Sequence, residues 1–216
     1  MSDVLTLDGA AVDRYADVLA VVAAALVDDD LDLARLSVSP IAGERWLGKV
    51  SLAGPQQPDG VHKRVPIKER DRAQTLIRDG FRCGACGGRA VPRGVLVALS
   101  DVLPEELPYQ QHYKRGEIHP VYWALAAEAD HVVPSSSGGS SELTNLRTIH
   151  AFCNTQRGNA LLEAHQMNTL ATSADPRWDG LIGAYPRIVA VAAARGFAYS
   201  SAQYHHARMR AFGISS

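Results

Sequence analysis

The sequence is poor in cysteine, in long hydrophobic runs and in net charge. Its three cysteines are an odd number, and Cys83 and Cys86 lie three positions apart, which is unlike a disulfide framework and typical of metal ligands. The apolar run from Leu19 to Val27 is too short to cross a bilayer. The first residues are acidic rather than basic, which argues against a secretory leader. We therefore expect a cytoplasmic protein without a membrane partner.

The near absence of net charge conceals an uneven distribution. The formal charge of −1 provides no global basic field for nucleic acid. Residues 1–60, however, hold ten acidic and four basic side chains, whereas residues 61–100 hold nine basic and three acidic ones. The basic block suits a phosphate-binding face, and the alternative is an ordinary solvated surface.

The composition predicts an ordered globule, with 46% hydrophobic and 21% charged residues. Its length suits one well-cored domain or two small ones. Apolar residues recur at helical spacing over residues 8–27, and a short second helix follows from Leu31 to Leu36. Two prolines and two glycines predict a loop at 53–60. Residues 1–60 match no chemical motif, so they are interpreted as a packing or dimerisation element, with target recognition as the alternative.

Further elements follow from periodicity and capping residues. The helix predicted over Ile67–Asp79 should bury Ala73, Leu76 and Ile77. The run Val95–Leu99 suggests a strand. Near the carboxyl end, the patterns predict two more helices, over residues 182–194 and after a capping Ser200.

Five short motifs carry the candidate chemistry, and each is weak alone. They follow one another in a fixed order: Cys83-x2-Cys86, Asp130-His131-x2-Pro134, Gly138-Gly139, Asn145-Leu146 and Cys153-Asn154-x2-Arg157-Gly158. In this order they resemble the HNH nuclease family over about residues 68 to 162. The resemblance implies an α+β fold: a ββα-metal (His-Me) finger stapled by a structural zinc, with helical N- and C-terminal additions.

This resemblance also implies the arrangement of the chain. The first strand should hold Asp130 and His131, the second should run from Leu146 to Ile149, and the helix should begin near Ala151. Three segments result: an acidic helical segment at 1–60, a nuclease core at 61–165 with an insertion at about 100–127, and a C-terminal helical segment at 166–216.

For catalysis, the resemblance implies one divalent metal, Mg²⁺ or Mn²⁺. His131 would be the general base, because neutral imidazole accepts a proton at physiological pH. Asp130 and Asn154 would hold the metal, since hard oxygen ligands suit Mg²⁺. Asn145 would position the base and tie down its loop.

A second, structural metal is implied for the cysteines. Zinc takes four thiolate or imidazole ligands, here Cys83, Cys86, His150 and Cys153. His150 departs from the family pattern, which usually has a fourth cysteine at this position. The alternative is a core histidine beside free thiols.

The expected substrate is DNA, contacted by Arg82, Arg147, Arg157 and Asn159. The insertion mixes aromatic and basic residues that could stack on bases and bind phosphates. The alternative, which we favour for Tyr122, Trp123 and Leu125, is that these side chains fill the core.

The sequence therefore predicts a metal-dependent DNA endonuclease, restriction-like in one interpretation. The alternatives are a zinc-stabilised nucleic-acid-binding module without turnover, a mobile-element or phage-type nicking nuclease, and a toxin nuclease, which the absence of a leader disfavours. A double-strand cut would need two copies of the single site, which predicts a homodimer for that case.

Overall fold

A computed structural model of the chain describes residues 3–52, 66–160 and 177–215. The loop predicted at 53–60 and the segment boundaries near 60 and 165 lie outside these ranges. The described residues combine helices with short strands, which confirms the mixed α+β class. The helices are α1 Gly9–Val27, α2 Leu31–Val38, α3 Glu69–Arg78, α4 Arg93–Val102, α5 Val121–Leu125, α6 Ala151–Arg157, α7 Tyr185–Arg195 and α8 Ala202–Ala211. The strands are β1 Asp3–Val4, β2 Arg45–Trp46, β3 Val91–Pro92, β4 Ala126–His131 and β5 Leu146–His150.

The first two helices form as the sequence predicts. The buried stripe of α1 recurs every three or four residues and includes Tyr15 and Leu19. Each helix begins at an aspartate that caps it: the Ala11 amide donates to Asp8 and the Leu33 amide donates to Asp30, both at 2.8 Å.

Two predictions about the central elements are wrong. Val95–Leu99 belongs to α4 and not to a strand. The run is buried on every side, and a helix that is apolar all round has no periodicity to distinguish it from a buried strand. In α3, Ala73 and Leu76 are buried as predicted, but Ile77 is 51% exposed because it lies at the edge of the apolar stripe.

The central sheet has the order β3-β4-β5. Strand β3 pairs in parallel with β4, and β4 pairs antiparallel with β5. The register sets His131 opposite Leu146 and Ala127 opposite His150. Helix α6 begins directly after β5, so two antiparallel strands and a helix follow one another as the sequence predicts. These three elements position the candidate site.

The N-terminal segment and residues 100–127 pack against each other. His119 lies between them: its Nε2 donates to the Ile41 carbonyl at 2.7 Å, and its Nδ1 accepts the Val121 amide at 3.1 Å. Burial lowers the pKa of His119 to about 4, because the charged form loses its hydration. This imidazole is therefore neutral, and it ties residues 3–52 to the rest of the core.

The aromatic residues of this segment belong mainly to the core. Tyr122 and Leu125 are fully buried, and Trp123 is half-buried against Trp46, with ring centroids 6.1 Å apart. The core-filling interpretation of these residues is confirmed.

The last two helices differ slightly from the prediction. Helix α7 begins at Tyr185 rather than at residue 182. Ser201, not Ser200, caps α8. The Ser200 hydroxyl instead donates to the buried Asp101 at 2.5 Å, which ties the start of α8 to the end of α4. None of the helices in the described ranges is long and apolar enough to span a membrane.

Candidate functional site

His131 lies at the end of β4, where the chain leaves the sheet. Its side chain is 8% exposed, and its Nε2 lies 2.9 Å from the Ser141 hydroxyl. It lines a cleft of about 550 Å³ together with Asp130 and Asn154. The structure thus brings three of the predicted catalytic residues to one cavity.

Asn145 ties down the loop that follows His131. Its Oδ1 accepts the Val133 amide at 2.9 Å, and its Nδ2 donates to the carbonyls of Val133 and Ser140 at 3.1 and 2.7 Å. Gly139 permits this close packing, because a Cβ there would lie 1.8 Å from the Val133 carbonyl oxygen. These three bonds of the Asn145 amide are all made to the loop and not to the cleft.

Asp130 is held by two buried arginines. Its Oδ2 accepts from Arg157 Nη1, and from Arg147 Nη2 at 3.4 Å. Arg157 also donates to the Val132 carbonyl at 2.8 Å. Burial, followed by the neighbouring Arg157 charge, lowers the pKa of Arg147. The predicted metal ligand therefore has a fixed orientation.

Asn154 contacts a carboxylate that the sequence reasoning missed. Its Nδ2 donates to Glu128 Oε2 at 2.7 Å, and Arg93 donates to the other oxygen of Glu128. The bond to Glu128 leaves the Asn154 amide oxygen as the atom available to a metal. Glu128 precedes Asp130 by two positions, so the strand period places both on one face. This alternation along the strand was the sequence signal that could have identified Glu128 as a site residue.

The predicted DNA contacts are distributed differently. Arg147 and Arg157 are only 2% and 6% exposed, and both bind Asp130. Arg82 lies on the cysteine turn, where its Nη1 donates to the Gly87 carbonyl at 3.3 Å, and it lines a separate cavity. Asn159 is half-buried just after α6. None of these four side chains lines the His131 cleft.

The cysteines form the second candidate centre. The ligand atoms of Cys83, Cys86, His150 and Cys153 all lie within 4.8 Å of one another. In the described ranges, this is the only group of three or more His, Cys, Asp or Glu side chains close enough to share an ion. The set can therefore hold one zinc ion.

Local hydrogen bonds suit this use. The amides of Ala85 and His150 donate to Cys83 Sγ at 3.4 and 3.3 Å, as expected around a thiolate. His150 Nε2 lies 3.0 Å from the Arg89 carbonyl, while Nδ1 faces Cys86 Sγ at 3.4 Å. A metal-binding histidine typically donates its other ring nitrogen in this way.

The electrostatics of this cluster also favour a cation. Burial alone would lower the pKa of His150, but the charges and hydrogen bonds of Cys83 and Cys86 together outweigh burial and raise the pKa to about 10. Burial raises the pKa of Cys83, yet its bonds to Cys153 and Cys86 and the charge of His150 bring it well below the usual range. The grouped thiols thus already attract positive charge, which a divalent ion would supply.

Comparison with known proteins identifies the domain. Residues 115–160 match the family model for the HNH endonuclease. The match covers β4, β5 and α6 and hence Asp130, His131, Asn145 and Asn154, whereas Cys83 and Cys86 precede it. No significant match was found among curated proteins or among solved structures. The predicted resemblance is therefore confirmed for residues 115–160, which form an HNH endonuclease domain, and this match supports nuclease activity at the level of the family.

Proposed function

We propose that this protein is a DNA endonuclease that hydrolyses phosphodiester bonds with His131 as the general base and one divalent metal, Mg²⁺ or Mn²⁺. One observation carries the proposal: His131, Asp130 and Asn154 line the same open cleft within the segment that matches the family. A closed structural site would have no such space for substrate.

His131 has the chemistry and the placement for a base. Neutral imidazole takes a proton from water, and the water oxygen then attacks phosphorus. The contact with Ser141 fixes the orientation of the ring, and Asn145 holds the loop that starts beside it. The base thus meets its water in one geometry, which favours reaction.

Asp130 and Asn154 are the proposed metal-binding residues. Carboxylate and amide oxygens form a hard ligand set that suits Mg²⁺ or Mn²⁺. A bound divalent cation would supply the positive charge that stabilises the scissile phosphate and its leaving oxygen. Arg147 and Arg157 orient Asp130, and Glu128 orients Asn154.

The thiol cluster is the proposed structural zinc site. Strands β4 and β5 and helix α6 would form the ββα-metal finger, and zinc would staple the end of β5 and the start of α6 to the turn at Cys83 and Cys86. Thiols grouped around an ion rather than paired in disulfides suit a reducing compartment, which supports a cytoplasmic location.

The test is cleavage of supercoiled plasmid with and without added Mg²⁺ or Mn²⁺. The wild type should cut only with the metal, and His131→Ala should lower the rate by at least about 10²-fold. Its zinc content and unfolding temperature should stay near those of the wild type. Ser141→Ala, which removes the hydroxyl in contact with the ring, is expected to lose less activity. Unchanged cutting by His131→Ala would overturn the mechanism.

The same experiment separates the other candidates. Metal-independent retention of DNA without cutting would favour the zinc-stabilised binding module. Nicked product alone would favour a mobile-element or phage-type nicking nuclease, and linear product would favour a restriction-like enzyme that acts as a homodimer.

A further inference from the structure

The cleft around His131 is built from two parts of the chain. Its floor, at residues 127–131 and Asn154, lies inside the segment that matches the HNH family. Its walls come from outside that segment: α3, the start of α4 and α8. The family match therefore accounts for the floor alone, and the walls are free to contribute substrate contacts of their own.

Three arginines from three different elements lie on these walls. They are Arg72 of α3, Arg93 of α4 and Arg208 of α8. Arg208 of α8 reaches the start of α4, where Arg93 lies. A Cβ built at Gly94, the residue after Arg93, would lie 2.9 Å from Arg208 Cδ. The long stem of Arg208 is thus packed against the start of α4, and both Arg93 and Arg208 line the cleft.

Each guanidinium group is oriented by its surroundings. Arg93 forms an ion pair with Glu128 and stacks over the Tyr113 ring at 5.3 Å. Arg208 stacks over the Tyr204 ring at 3.5 Å. A stacked guanidinium loses less freedom when its donors meet a phosphate, because its plane is already fixed. Arg72 has a weaker partner, Glu69, at 3.7 Å across an exposed helix turn.

The charge balance of the cleft favours an anion. The lining contains three arginines and the three carboxylates Glu69, Glu128 and Asp130. Asp130, however, is already bound from behind by two further arginines. With these two, which lie outside the lining, five guanidinium groups lie at or next to three carboxylates, in a chain whose overall charge is −1.

We propose that Arg72, Arg93 and Arg208 form a phosphate clamp that holds the backbone of the nucleic acid across the His131 cleft. The clamp rests on the proposed nuclease function, and it replaces the predicted phosphate contacts of Arg82, Arg147 and Arg157. Two of those side chains are buried against Asp130, and the third lines a separate cavity. Guanidinium forks match phosphate oxygens in pairs, so three of them fix both position and direction of a strand.

The experiment measures binding of a fluorescent DNA duplex to full-length His131→Ala protein, which keeps the DNA intact, over a series of salt concentrations. Arg72→Gln and Arg208→Gln, added singly, should weaken binding roughly tenfold and lower the slope of log affinity against log salt by about one each. Arg208→Lys should keep most of the slope. Arg210→Gln is the matched control, because it removes the same charge from the same helix at an exposed position outside the cleft.

A second readout separates the clamp from the chemistry. In the background with His131 intact, the clamp variants should lose far less activity on the small diester bis(p-nitrophenyl) phosphate than on DNA, because the small diester has no neighbouring phosphates. DNA binding by Arg72→Gln and Arg208→Gln equal to that of Arg210→Gln would overturn the clamp and leave the nuclease intact. If the two clamp variants bind DNA more weakly but the wild type never cuts DNA, the clamp is supported and the nuclease is overturned. If Arg208→Gln fails to fold, Arg72→Gln decides, because the Arg72 side chain is 37% exposed at the cleft.

Discussion

The thiol cluster and the His131 cleft share helix α6, yet they are built for opposite purposes. Cys153 and Asn154 are neighbours in α6, yet one faces Cys83 and the other faces Glu128. The thiol cluster has four ligands within 4.8 Å and no need of a fifth, as in a structural zinc site. The cleft keeps about 550 Å³ of open space, as a site that admits substrate must. Successive residues of one helix can thus serve stability and chemistry separately, because they project about 100° apart.

The largest expected effect lies at the thiol cluster. Cys83→Ser removes a fully buried ligand and should abolish zinc binding, with a loss of about 4 kcal/mol or more in the free energy of unfolding. Metal analysis and thermal unfolding measure both quantities. His131→Ala is the control from the cleft, and it should retain one zinc per chain. A Cys83→Ser protein with full zinc and an unchanged unfolding temperature would show that the cluster is not the staple.

A smaller effect, on activity rather than on zinc binding, is expected at the cleft. Asn145→Ala removes three hydrogen bonds that hold the loop after His131, and displacement of the base should slow DNA cleavage by about 10²-fold. Zinc content should not change. Thr144→Ala, an exposed neighbour in the same turn, is the matched control and should cut normally. Equal cleavage by the two variants would mean that the loop does not position the base.

The smallest expected effect is on the pH dependence of stability, and it separates acid unfolding from loss of activity at the cleft. The pKa of His119 is about 4 in the folded chain and near 6.5 in the unfolded one. Between these values only the unfolded chain takes up the proton, so the free energy of unfolding falls as pH decreases through this window. The free energy of unfolding falls by about 3 kcal/mol at most, and this loss is absent above pH 6.5.

His119→Gln can preserve both hydrogen bonds without titrating, so its stability should vary less between pH 4 and 6.5. Denaturant unfolding at several pH values measures the difference. Activity that still falls at acidic pH in this variant would belong to the His131 cleft rather than to unfolding. An identical pH dependence of stability in variant and wild type would show that another group governs acid stability.

The elements with one apolar and one polar face followed from local sequence, whereas the fully buried ones did not. Helix α1 was predictable because one face is apolar and the other polar. Val95–Leu99 was not, because a run buried on all sides has no contrast between faces. Glu128 lay between these cases: the strand period marks its face, but only its bond to Asn154 shows its use.

The sequence by itself determined the chemical groups and their order: the thiols, the Asp130-His131 pair and the asparagines that follow. Ligand spacing along a turn or strand is set by covalent geometry, so these motifs identify the HNH domain without a structure. Only the tertiary structure decided what surrounds them. Arg147 and Arg157 turn inward to Asp130, while Arg72, Arg93 and Arg208 arrive from distant helices. Contacts between residues so far apart in the chain depend on how the core packs, which no local pattern encodes.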